Sequence, residues 1–411
     1  MTPPASTRPL KVWLVNHYAI PESAPGITRH ATLARLMDER SDVETVIVSG
    51  RGHYWNVAEA RDEKADRFES VPVDVAPANG IRRVLNMLHF ALRVVTKGLR
   101  TPRRKRPDVV LASSPHLFGA VAGWMVARWF RVPFALEVRD LWPMSLVELL
   151  GLKGWHPLVA VMKVMERFVY RAADVVFLVL PGSGTHVQRV AGRTVRLATV
   201  PNGVDVSTLP EPGTPASVTT GGPVSVVYAG AHGVPNALDT MLDAWTIIER
   251  RPDAPAMTLR LIGDGKEKDN LRALVDERGL TTVTFEDPVP KPQVRERMRD
   301  ADILIMTWRD SPLYANGISP NKLYDYMAAA RPVMIAVDTP INPVAEADGG
   351  VSVPPEDPAA LAEGLLRLAA TSPEERARLG RNGAAYVHEH HDLAKVADRM
   401  AQELRTAVGR G

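Results

Sequence analysis

The sequence predicts an α/β protein built from two doubly wound, Rossmann-like domains facing each other across a cleft. Short β-rich apolar runs alternate with longer helical patterns, as the βαβ units of parallel sheets require. The series is interrupted by a Pro, Gly, Ser and Thr-rich stretch, STLPEPGTPASVTTGGP, and then restarts. A length of 411 residues also exceeds one ordinary core.

In the first half the expected strands are KVWLV at 11–15, VETVIV at 43–48, DVVLAS at 108–113, PFALEV at 133–138 and DVVFLV at 174–179. The second series is VSVVYAG at 224–230, MTLRLIG at 257–263, VTFED at 283–287, DILIMT at 302–307, PVMIAV at 332–337 and VSVPP at 351–355. Gly, Pro or polar punctuation and a helix-period segment follow each run. The domains are expected at 1–203 and 223–385, joined by a linker at 204–222. A helical segment at about 386–408 has no strand to follow and is expected to pack back on the first domain.

Composition is ordinary for a water-soluble globular protein, 45% hydrophobic and 24% charged. The absence of cysteine excludes disulfides, thiolate metal sites and cysteine nucleophiles. MTPPASTRPL lacks the apolar core of a signal peptide, and no apolar run approaches the ~20 residues that span a bilayer. The expected location is cytoplasmic, peripheral on the inner face of the cytoplasmic membrane. The net charge of +3 is unevenly spread: Val75 to Pro107 holds no acid and many cations. There Arg82, Asn86, His89, Arg93, Lys97 and Arg100 recur at steps of three and four, with Leu85, Leu88, Leu92 and Leu99 on the other side. This basic amphipathic helix and the basic loop after it, residues 81–106, suit an anionic membrane surface, where each cation contributes about 1 kcal/mol. A solvated basic face over a packed core is the plain alternative. No nucleic-acid motif or interleaved aromatic pattern accompanies the charge, so no nucleic-acid partner is expected.

GISPNKLYDYMAAARPVM at 317–334 is the most informative stretch. A helix opens at Ser319-Pro320, and its free N-H groups and dipole favour an anion, to which Lys322 adds a full charge. Asp325, three residues on, lies on the same side, within reach of paired hydroxyls. Strand ends of the same half carry small or tight loops: Gly230 to Gly233 with His232 inside it, Gly263-Asp264-Gly265, and Asp287-Pro288-Val289-Pro290. Their backbone is suited to approach a diphosphate closely, although each alone is also an ordinary turn. His388, His390 and His391 read as a surface cluster, without a clear outer metal ligand.

Three ordered motifs, EVRDLWP at 137–143, PNGVD at 201–205 and SPNKLYDYMAAARPVM at 319–334, resemble the retaining GT-B glycosyltransferases of family 4. The likeness is to the branch related to fucosamine transferases of bacterial surface-polysaccharide assembly, and it runs from about Lys11 to about Asp398. It implies that the second domain binds a nucleotide-diphosphate sugar, a UDP-sugar being favoured. The first domain would present a lipid-linked, otherwise amphipathic or small-molecule acceptor. It further implies retention of anomeric configuration by front-face substitution, without metal or cofactor. In the donor segment Asn316, Ile318, Ser319, Pro320, Asn321 and Leu323 surround Lys322, the leading cation for the departing diphosphate, and Arg309 is the next candidate. Family members carry two glutamates eight positions apart; here Asp325 takes the second, ribose-associated place and Gly317 stands at the first. Asn316 is a weak stand-in for the missing acid. On the acceptor side the resemblance points to Asn16, His17, Tyr18 and Gly26 after the first strand, and to His116. It also points to the pair Arg139 and Asp140, where relatives have His-Asp. Lys322, Arg139, Asp140 and His17 are the candidate catalytic residues. A non-catalytic sugar-nucleotide-binding subunit and a nucleotide-sugar epimerase of the same fold are the competing readings.

Overall fold

The computed structural model describes residues 8–24, 26, 28–51, 67–73, 81–144, 147, 153–209 and 222–409. The chain forms two compact units, residues 1–202 with 393–411, and residues 203–392.

The first unit runs β1 (Leu10–Val15), α1 (Arg29–Arg40), β2 (Val43–Val48), the two-residue β3 (Gly50–Arg51) and β4 (Val71–Pro72), then α2 (Ile81–Arg100) and β5 (Val109–Ser113). It continues through α3 (Leu117–Phe130), β6 (Phe134–Val138), α4 (Pro157–Ala172), β7 (Val175–Leu178), α5 (Gly184–Ala191) and β8 (Leu197–Thr199). The six-stranded sheet is parallel, in the order β2-β1-β5-β6-β7-β8. Alternate residues of each strand point to opposite faces. Trp13, Val15, Val110 and Ala112 pack beneath α2 and α3, whereas Val12, Leu14, Val109 and Leu111 face Leu33, Ala34 and Met37 of α1. Burial on both faces is why these strands read as continuous apolar runs.

The second unit runs β9 (Val224–Ala229), α6 (Leu238–Glu249), β10 (Met257–Ile262), α7 (Lys268–Arg278), β11 (Val283–Glu286), α8 (Lys291–Arg299) and β12 (Ile303–Thr307). It continues through α9 (Asn321–Ala328), β13 (Val333–Ala336), α10 (Pro343–Glu346), β14 (Gly350–Val353), α11 (Pro358–Ala370) and α12 (Pro373–His390). Its parallel sheet is ordered β11-β10-β9-β12-β13-β14. Tyr228, Leu259 and Ile305 meet α6 and α11 on one side; Val227, Leu304 and Ile335 meet α8, α9 and α12 on the other.

Every expected strand is present to within two residues, and β3, β4 and β8 are additions. Most of the expected linker, 210–221, lies outside the described residues. The C-terminal segment is not one helix. α12 ends at His390 and packs on α9, and a separate α13 (Leu393–Val408) belongs to the first unit against α1. The chain therefore crosses between units twice, and just inside the second unit the two crossing segments touch. Val204 N-H donates to His391 O at 3.0 Å, and a Cβ on Gly203 would stand 2.0 Å from that same oxygen. The glycine of PNGVD is thus required by a close backbone approach.

Candidate active site

In the second unit the strand order reverses between β9 and β12, the place where open parallel sheets form a ligand crevice. α9 starts there. Pro320 is extended (ψ 137°) ahead of the first helical residue, while Leu323, Tyr324, Tyr326 and Met327 bury the other face. The Tyr326 hydroxyl donates to Ala229 O at 2.9 Å and accepts from Ala229 N-H at 2.6 Å, fastening the helix to the end of β9. Lys322 Nζ consequently donates to Asn236 Oδ1 at 2.6 Å and to the Tyr228 hydroxyl at 3.2 Å, and lies 4.9 Å over the Tyr228 ring. Asn236 is itself held, its carbonyl accepting from Thr307 Oγ1 at 2.6 Å. Both hydrogen-bond partners of the ammonium, a phenol and an amide, are neutral, and among the described residues no carboxylate pairs with it. Burial pushes its pKa down to about 7 although the side chain keeps some exposure. Such a group is relieved by an arriving anion.

The glycine loops behave differently from expectation. The Gly230 N-H is spent on Ile262 O at 2.9 Å, the His232 N-H on Asp264 O at 2.8 Å and the Gly263 N-H on Glu286 O at 3.1 Å. A Cβ on Gly263 (φ +144°) would lie 2.0 Å from Gly230 O, and one on Gly265 would lie 2.2 Å from His232 O. These glycines let two loops interlock; a donor for a diphosphate is not what those three N-H groups offer. The Asp264 carboxylate closes its own turn on Gly265 N-H at 2.9 Å, and Gly233 O accepts from Asn236 N-H at 2.9 Å. His232 is fully buried, with neither ring nitrogen hydrogen-bonded among the described residues. Burial, then Lys268, lowers its pKa to about 4, so the ring is neutral and brings no charge to a phosphate. Lys268 spans the loops after β10 and β11, donating to Gly263 O at 2.9 Å and to Asp287 at 3.0 Å. Pro288, next in that loop, is exposed, and Val289 packs partly on the core.

Arg309 is not available as the second diphosphate cation. It is paired with Asp239 at 2.5 Å and Glu356 at 3.0 Å, which satisfy its charge. Asp325 lies on α9 beside Arg295 of α8, 3.6 Å away, and Arg295 also donates to Thr208 Oγ1 at 3.1 Å. Gly317 has φ +87°, and a Cβ there would stand 3.1 Å from Cβ of Ile341. An acid at this position would be strained and crowded, so the backbone itself explains its absence. Ile318 is buried in the core, Ser319 accepts from the Tyr324 hydroxyl at 3.3 Å, and Asn316 and Asn321 are partly exposed at the two ends of the segment.

In the first unit the order reverses between β1 and β5, and the structure brings His17 and His116 together there, Nδ1 to Nε2, at 2.9 Å. His116 Nδ1 accepts from Gly119 N-H at the start of α3, so its proton sits on Nε2 and is donated to His17. His17 is stacked between Phe90 and Tyr18 at 4.2 and 4.5 Å and is buried, a pair that supports the loop more than it presents an acid or base. Asn16 contacts the His30 ring at 3.1 Å and accepts from Tyr18 N-H at 2.8 Å. Gly26 has φ +130°; Pro25 and Ile27 beside it lie outside the described residues. Arg139 N-H reaches Ser114 Oγ at 3.4 Å, Asp140 is exposed, and Trp142 is packed with its indole N-H on Ser114 O.

Sequence reasoning missed the charge buried between these positions. Glu137, at the end of β6, binds Arg29 at 3.2 Å and His30 at 2.7 Å, while Arg29 also donates to Val200 O and Pro201 O at 2.7 and 2.8 Å. Burial opposes it, but His30 and Arg29 hold the Glu137 carboxyl well below the usual range. Burial also lowers His30, against the pull of Glu137.

The chain thus has two parallel-sheet units, one of which carries at its switch point a lysine with no carboxylate partner among the described residues. Residues 26–203 match the family described as glycosyl transferase 4-like domain, and residues 223–371 match glycosyl transferases group 1. The chain belongs to the GT-B glycosyltransferases.

Its fold is shared with a sucrose-phosphate synthase of Thermosynechococcus elongatus at a TM-score of 0.74 and 16% identity, over 98% of this chain and 100% of that one. Anabaena HepE, solved with UDP and glucose, superposes at 0.67 with 15% identity over 97% and 100%. The lipopolysaccharide outer core galactosyltransferase WaaB gives 0.62 with 13% identity over 97% and 99%. An exopolysaccharide phosphotransferase of Streptomyces coelicolor is 29% identical over 176 residues, 42% of this chain but only 17% of that protein.

Proposed function

We propose that the protein transfers a sugar from a nucleotide-diphosphate sugar, with a UDP-sugar favoured, to a lipid-linked or other amphipathic acceptor in bacterial glycan or glycolipid assembly. The observation that carries this reading is Lys322, an ammonium held at the switch point by a phenol and an amide, with no carboxylate partner among the described residues. A diphosphate supplies the missing charge, and in the transition state the departing diphosphate gains more charge for Lys322 to stabilise. Front-face displacement with retention needs no strong protein base, because the leaving phosphate oxygen takes the acceptor proton. The reading is therefore of a retaining, metal-independent transferase. Asp325, beside Arg295, is the residue assigned to the ribose in this reading, and the ribose hydroxyls would exchange with that ion pair. HepE with UDP and the polysaccharide-related proteins named above support the donor class and the pathway type. The basic segment 81–106 supports an acceptor borne at an anionic membrane.

A thermal-shift panel of UDP, GDP, TDP and ADP sugars tests the donor site. Stabilisation by a uridine nucleotide is expected, and no response to any member would sink the assignment. A second reading, a sugar-nucleotide-binding subunit without turnover, is favoured by the crowded Gly317. It is distinguished by a protein that binds the donor yet consumes none with any membrane-lipid extract.

A further inference from the structure

The large apolar side chains that stand exposed among the described residues are not scattered. All but Val234 and Ile247 lie on α2, α3, α4 and the turn before α4. α2 packs on α3 and α3 on α4, so they form one layer over one face of the first sheet. Trp124 and Phe168 meet edge to face at 4.7 Å across α3 and α4.

α2 does not bury its leucine row. It turns Met87, Phe90 and Val94 to the core and leaves Leu85, Leu88, Leu92 and Leu99 outward, with Leu92 61% exposed. Beside that row stand Trp129 of α3 at 61% and Val164 of α4 at 71%, and Trp155 precedes α4 at 77%. An apolar surface of this extent marks a partner.

Charge identifies the partner. Arg82, Arg93, Arg100, Arg128, Lys163 and Arg167 lie on the same helices. Their one acid, Glu166, is buried against His186 at 2.7 Å. The turn Arg103–Lys105 after α2 is exposed as well. A second copy of this chain docking through a two-fold axis would set cation against cation. An anionic bilayer satisfies both parts, taking the apolar side chains beneath its headgroups and the cations at its phosphates.

We propose that the outer face of α2, α3 and α4 inserts into one leaflet of an anionic bilayer, with Leu92, Trp129, Trp155 and Val164 as its anchors. This deepens the lipid-acceptor reading above and replaces surface attraction by one basic helix with apolar insertion by three. The two mechanisms separate by salt, because screening weakens attraction between exposed charges and leaves buried apolar contact in place.

The full chain is sedimented with vesicles of phosphatidylcholine alone, or with about a third phosphatidylglycerol, at low salt and at roughly 0.5 M NaCl, where the screening length falls to a few ångströms. Binding to the anionic vesicles that persists in high salt, with tryptophan emission quenched by brominated acyl chains, is expected. The double substitution Leu92→Ser, Trp129→Ser should weaken it by about tenfold or more. UDP-induced thermal stabilisation reads the second unit separately, so its loss in the wild-type protein indicts the donor site and not this surface. If the double variant is misfolded, Trp155→Ser in the turn before α4 should still weaken binding and abolish part of the quenching. Binding that vanishes at high salt, unchanged binding by the variants, or a solution dimer dispersed by the same substitutions would each overturn the proposal.

Discussion

Lys322 carries its own pH dependence. A lysine that ionises near 7 when folded and near 10.5 when unfolded destabilises the folded protein increasingly as pH falls from about 10.5 to about 7, and by a constant amount below that. Lys322→Met should therefore raise the melting temperature of the ligand-free protein at pH 7 while removing UDP binding; a lower melting temperature would show that its bonds to Asn236 and Tyr228 outweigh its burial. Donor affinity of the unmodified protein should fall as pH rises through about 7, and titration calorimetry in buffers of different ionisation heat should register proton uptake. In turnover, Lys322→Ala should lose about a hundredfold if the residue stabilises the leaving group. The buried Glu137 makes stability fall with pH in the same direction, over a more acidic range. Its lowered pKa contributes stability that is fully present above the unfolded carboxylate range and is lost as pH falls through its folded value. Glu137→Ala strands Arg29 and should cost about 3–5 kcal/mol in chemical denaturation. The helix start that carries Lys322 and Asp325 was legible in the sequence because such a start announces itself locally. Tyr228 and Asn236 were not, since in sequence one is a strand residue and the other a loop residue, far from the lysine they hold. Nor was the Arg29, His30 and Glu137 cluster, whose members meet only when α1 closes on β6.

At the scale of elements, strands read well and loops read badly. A run such as VVFL is apolar because both faces of β7 are covered, and that pressure is visible in any window of sequence. β8 escaped because it has only three residues, Leu197–Thr199. The loops after β9 and β10 were recognisable as glycine-rich, but sequence does not say what approaches a glycine. Here it is the neighbouring loop. Gly263→Ala forces a Cβ onto Gly230 O in an unfavourable dihedral and should destabilise by more than the about 1–3 kcal/mol of the dihedral alone. Gly279→Ala is the control. Its φ is +66° but nothing lies within 4 Å of the added carbon, so about 1–2 kcal/mol is expected. Equal losses in the two variants, measured by urea unfolding, would mean that loop contact is not what fixes Gly263.

For the whole molecule, the two matching domains were visible as two series of strands and the return of the C-terminal segment to the first of them was expected, whereas the break between α12 and α13 was not. The same helical period continues from α12 into α13, yet the chain changes unit between them. α13 fills the face of the first sheet with Leu393, Val396, Met400 and Leu404, and ties down through Asp398 to Arg40 at 2.7 Å and Glu403 to Arg196 at 2.5 Å. Ending the chain after Asp392 should thus remove the cooperative unfolding of the first unit in calorimetry while the UDP-responsive transition of the second survives; retention of both transitions would show that α13 is dispensable. The double crossing also sets an order of events at the ribosome. Residues 203–392 emerge entire before Leu393, so the second unit has all of its chain while the apolar residues of α1 and β7 still wait, wet, for the helix that will pack on them. The half that starts first is the half that finishes last.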